Sequence, residues 1–167
     1  MFHFKLIAYL SFISLMACGD KDGFILPQSG DWTIVTTGYT NDDCNAAGFL
    51  IPPDSITFAD VDTSSFSITY YIENERIEDS RSTCSHTGDN IFECEDLIHS
   101  TPFSANATVS MVSTSAIITM TSETSASGVG NLTLECTGSD CGQLSELTNT
   151  GSLPCDTTIN WTAAAEE

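Results

Sequence analysis

Apolar and polar residues alternate along most of this chain with a period of two, the spacing of side chains on one face of a β-strand. Trp32, Ile34 and Thr36 share a parity in "DWTIVTT", Ile56 and Phe58 in "SITFA", and Phe66, Ile68, Tyr70 and Ile72 in "FSITYYI". Leu132, Leu134 and Cys136 do so in "NLTLEC", and Ile159, Trp161 and Ala163 in "INWTA". Threonine, serine and acids fill the positions between, so each segment reads as a strand with one buried face. The stretch "ADVDTSS" between two of them reads as a hairpin connection.

The middle of the chain predicts two more hairpins. "STCSHTGDNIFECED" is centred on Gly88-Asp89-Asn90, and counting outward from that turn sets Cys84 opposite Cys94. "ATVSMVSTSAIITMTS" alternates through Val109 and Met111, then through Ala116, Ile118 and Met120; the change of parity predicts a turn near Thr114. Two long loops break the rhythm: residues 41–54, with Pro52-Pro53, and residues 137–154, with one helical turn expected around Gln143 to Leu147. The pattern therefore predicts a single all-β, antiparallel domain of eight or nine strands over residues 30–167. Up-and-down barrel and two-sheet sandwich both accommodate it.

Composition agrees, because 43 of the 167 residues are serine or threonine, which suit a half-solvated pleated surface better than a helix. Charge narrows the partners. With 23 acids against 4 lysines and arginines, the formal net charge is -19. A field of that sign repels phosphate backbones and anionic headgroups, so no nucleic-acid partner is expected.

The N-terminus departs from all of this. "MFHFK" carries one lysine, and the next twelve residues, "LIAYLSFISLMA", carry no charge. Twelve residues on a helix span about 18 Å, short of the ~30 Å hydrocarbon core of a bilayer, so the stretch reads as a signal peptide, residues 1–17, rather than a membrane span. Leu15-Met16-Ala17-Cys18 at its end resembles the lipobox of bacterial lipoproteins. That resemblance implies cleavage before Cys18 and acylation of Cys18, with residues 18–29 as a lipidated tether. It also implies anchoring in the bacterial cell envelope. Gly19 rather than aspartate after the cysteine points to the outer membrane. Two acyl chains make such an anchor stable where one is marginal.

The chain has seven cysteines, an odd number that an exported protein must account for. Assigning Cys18 to lipid leaves six, which can form three disulfides in an oxidising compartment. Besides Cys84 with Cys94, the favoured pairs are Cys136 with Cys141 and Cys44 with Cys155, although spacing alone selects no connectivity. Both long loops carry cysteines, and cross-links offset the entropy of ordering them.

Gly30-Asp31-Trp32, at the start of the first strand, resembles the opening motif of lipocalins and related calycins. The resemblance covers that motif alone and implies a barrel holding a small apolar ligand. Trp32, Phe58, Phe66 and Tyr70 are then the candidate ligand contacts, or else they fill a solid core. No arginine near the C-terminus is present to cover the tryptophan as in that family. Catalytic and metal signatures are lacking: no Gly-x-Ser-x-Gly elbow and no Cys-x-x-Cys occur, and Asp60-x-Asp62-x-Ser64 lacks the glycine and closing glutamate of a helix-loop-helix calcium site. The expected function is a membrane-anchored, non-catalytic β domain without cofactor or metal. It would meet an envelope protein or a small apolar ligand; an unrecognised hydrolase is the remaining alternative.

Overall fold

The computed structural model describes residues 23–150 and 152–166; the expected leader and Cys18 lie outside them. Nine strands follow in order: β1 (Gly30–Thr40), β2 (Ser55–Ala59), β3 (Ser65–Ile72), β4 (Glu75–Gly88), β5 (Ile91–Cys94), β6 (Leu97–Ser104), β7 (Ala107–Ser122), β8 (Ser125–Gly138) and β9 (Cys155–Ala165). Two short helices sit in connections, α1 (Ala46–Phe49) between β1 and β2 and α2 (Cys141–Thr148) between β8 and β9.

All paired strands are antiparallel, in the order β5-β4-β3-β2-β1-β9-β8-β7-β6. The additional pairing of β5 with β7 closes eight of them into a barrel, with β6 as the ninth strand laid along the first half of β7. This closure decides between the two architectures the alternation allowed, since a sandwich keeps two separate sheets. Three disulfides join Cys44 to Cys155, Cys84 to Cys94 and Cys136 to Cys141. Cys84 and Cys94 are direct cross-strand partners, 3.8 Å apart at Cα.

The parity change in β7 is not a turn near Thr114. β7 runs unbroken to Ser122, and its register with β8 shifts between Thr114 and Ile117, where Ser115 takes φ 51°. One extra residue in a ladder turns every later side chain over, as a bulge does. Its neighbour matches it: β5 and β6 are separated only by Glu95-Asp96, and the Ser115 N–H donates to the Asp96 carboxylate at 3.3 Å. Both strands thus keep their apolar faces inward on either side of a shared kink.

The base of the barrel is solid. Trp32, Phe58, Phe66 and Phe92 form a chain of rings with successive centroids 4.6, 5.2 and 4.7 Å apart, and Ile56, Ile68, Ile118, Met120, Ala126 and Ala163 are among the side chains that share that core. Residues 24–28, expected to be free tether, instead seal it. Phe24, Ile25 and Leu26 pack on the core and Pro27 is buried. The Ile25 N–H donates to Asn90 Oδ1 (2.7 Å), the Gln28 N–H to the Glu123 carbonyl (2.7 Å), and Trp32 Nε1 to the Gln28 carbonyl (3.0 Å). The apolar run Phe24-Ile25-Leu26 explains the correction, since leaving three such side chains in water costs more than ordering them.

Candidate functional site

β2 and β5 are the shortest strands, five and four residues, and both pair only in the basal half. Above them the wall thins on two sides, and a cavity of about 160 Å3 opens inside the barrel. Ile34 and Thr36 of β1, Tyr70 and Ile72 of β3, Leu132 of β8, and Ile159 and Trp161 of β9 line it. Leu50, Ile51 and Pro53 cover it from the β1–β2 connection.

That connection is a fixed lid. Asp42 accepts the N–H groups of Ala46 (2.6 Å) and Ala47 (3.2 Å), which starts α1. Cys44 ties the lid to Cys155, and the Asp43 N–H donates to the Asp156 carbonyl at 3.0 Å. Under it Cys44, Ala46, Leu134 and Cys155 form a second small core, against which Tyr39, Phe49, Leu50 and Met111 pack. Burial, with the Asp42 charge adding to it, pushes the Tyr39 phenol above its ordinary pKa.

Opposite the lid, β4 parts from β5 and β6. Their ladder ends where the Glu95 N–H meets the Thr83 carbonyl (2.9 Å) and Ser82 Oγ donates to the Glu95 carbonyl (2.7 Å). Beyond that point β4 and β6 make no ladder, and His99 Nδ1, donating to the Glu78 carbonyl at 3.1 Å, bridges the slit. β4 also leaves β3 here: Thr69 faces Arg81 but Tyr71 faces Arg76, so several residues of β4 bow outward over one residue of β3. Asp79 takes φ 55° in that bow. Ser80 repairs the ladder, its Oγ donating to the Tyr70 carbonyl (3.1 Å) and accepting the Tyr70 N–H (3.3 Å). Ile77, Asp79, Ser80, Leu97 and His99 form the slit side of the cavity.

Of the four aromatic residues singled out from the alternation, only Tyr70 reaches this cavity. Trp32, Phe58 and Phe66 are 0, 1 and 1% exposed in the basal core, so of the two roles the alternation left open they take packing rather than ligand contact. Trp32, Phe58, Phe66 and Phe92 cluster where all eight strands close, and the largely aliphatic lining around Tyr70 and Trp161 leaves the space above. Burial pushes the Tyr70 phenol above its ordinary pKa, and its hydroxyl makes no hydrogen bond among the described residues. Ile77, Asp79, Leu97 and His99 escaped the sequence reading because "ENERIEDS" and "EDLIHS" do not alternate. The one available signal was Ile77 standing alone among acids.

The other candidates for chemistry are otherwise engaged. Cys84 and Cys94 are joined, which removes both thiols from the Cys84-x-His86 pattern. His86 stacks on Phe24 at 3.7 Å, and its Nε2 donates to the Asp89 carbonyl at 2.8 Å. Asp60 accepts from Ser67 Oγ and pairs with Arg81. Among the described residues no group of three histidines, cysteines or acids is arranged to hold a metal. No protein-family model, curated protein or solved structure matches this chain.

Proposed function

We propose that this protein is an exported lipoprotein, anchored through acylated Cys18, whose barrel is a non-catalytic binding domain for a small apolar ligand. The observation that carries the binding reading is the uneven filling of the barrel. Four aromatic rings pack the base, yet the upper lumen keeps about 160 Å3 of space walled mostly by apolar side chains. A dry apolar cavity of about 150 Å3 takes up a benzene-sized molecule. A concave apolar site with a few converging polar groups is the general form of a small-ligand pocket.

Native mass spectrometry of the purified protein tests the reading. A small molecule retained by the protein and lost from a Leu132→Trp variant, whose indole fills the lumen, is the expected result. An apo mass together with unchanged melting on exposure to apolar compounds would sink it. For the anchor, Cys18→Ser should abolish acyl labelling, and continued labelling refutes the assignment.

Contact with an envelope protein is the second reading. Ile117 and Val129 are paired across β7 and β8 and are 41% and 40% exposed on the outer face. Charged replacement of both should then abolish pull-down of that protein without changing ligand retention.

A further inference from the structure

We infer that the lumen favours an apolar molecule carrying an amine over a carboxylic acid of the same size. This deepens the ligand-binding reading and rests on it.

The polar groups at the slit are unbalanced. Asp79 contributes a carboxylate at the exposed rim of the cavity, with no hydrogen bond or ion pair from its side chain among the described residues. His99 spends its Nδ1 proton on the Glu78 carbonyl, so in the neutral ring Nε2 is left as an acceptor. The hydroxyls of Tyr70 and Ser113, also on the lining, can accept as well as donate.

Among the described residues, and with His99 neutral, no cation offsets these groups. The described residues include two cationic side chains, Arg76 and Arg81, and neither lines the cavity. Arg81 is held by Asp60. Arg76 lies on the exposed outer part of β4, opposite Tyr71. A ligand carboxylate at the slit would lose hydration and gain no counter-charge, whereas an ammonium gains Asp79 and neutral acceptors around it. The net charge of -19 acts in the same direction at longer range.

Cavity size sets the probes: hexylamine, hexanol and hexanoate share one tail and differ in the head. Binding is read from the indole N–H resonance of Trp161, which lines the lumen, with Trp32 in the solid base as internal reference. In the purified full chain, hexylamine should bind on the order of tenfold more tightly than hexanoate, with hexanol between them. Asp79→Asn should reduce hexylamine to the affinity of hexanol. Asparagine tolerates the left-handed backbone there, so the bow in β4 is preserved.

Hexanoate binding as well as hexylamine, hexanol matching hexylamine, or an Asp79→Asn variant that keeps the preference would each overturn the amine assignment while leaving ligand binding intact. If none of the three compounds shifts Trp161, the ligand-binding reading itself fails.

Discussion

Gly128 shows what a single missing methyl does for this barrel. It faces Trp161 across β8 and β9, and a Cβ there would meet the indole at 1.9 Å. The ring therefore lies over the glycine backbone, and Gly128→Ala must drive it into the lumen. Overpacking of that kind costs about 1–3 kcal/mol, so the urea midpoint should fall, and Trp161 fluorescence should change with it. Tyr70 makes a pH-dependent contribution. Because burial raises its folded-state pKa, its stabilisation is complete below pH ~10, the ordinary tyrosine value, and is lost as pH rises through the higher folded value. Tyr70→Phe should remove the latest-titrating part of the phenolate absorbance and flatten the alkaline decline in stability. The alternation of "FSITYYI" made the inward direction of Tyr70 legible, but not its distance from Trp32, Phe58 and Phe66 along the barrel axis. Period two tells inside from outside and carries nothing about height.

At the scale of elements, β2 over residues 55–59 and β3 over 65–72 were legible to within a residue, whereas β8 begins six residues before the clean alternation of "NLTLEC" and β9 four residues before that of "INWTA". The second half of β4 was legible as an arm of the Cys84–Cys94 hairpin, but its first half and β6 were not, and the reason is physical: where they flank the slit they lack a continuous neighbour on one side, so no buried stripe is imposed on "ENERIEDS" or "LIHSTPFS". Pro102, which offers no N–H, fits the open side of β6. The disulfides differ in leverage for the same topological reason. Cys44–Cys155 spans 111 residues and Cys136–Cys141 spans 5. On chain entropy a closed loop of about 100 residues contributes about 4.7 kcal/mol, and one shorter than about 15 residues less than about 3. Replacing Cys44 and Cys155 together by serine should therefore lower the urea midpoint more than replacing Cys136 and Cys141. It should also speed amide exchange in α1 selectively, since that disulfide holds the lid.

The whole molecule carries 23 acids against 4 lysines and arginines, and its like charges repel across a small closed surface. Raising sodium chloride from about 10 to about 150 mM shortens the Debye length from about 30 to about 8 Å. The melting temperature should rise over that interval, and a flat response would mean that the acids are locally compensated. The seal formed by Phe24 to Gln28 has a consequence for direction of traffic. The chain joins the barrel at its closed pole, while the slit bridged by His99 lies toward the other end of the strands. In a molecule held by Cys18, as proposed, the five residues from there to Gly23 reach no more than about 18 Å, which would keep the closed pole within that distance of the membrane. On the proposed anchoring and ligand binding, the opening would take its ligand from the fluid, with the membrane as a mooring and not as a source.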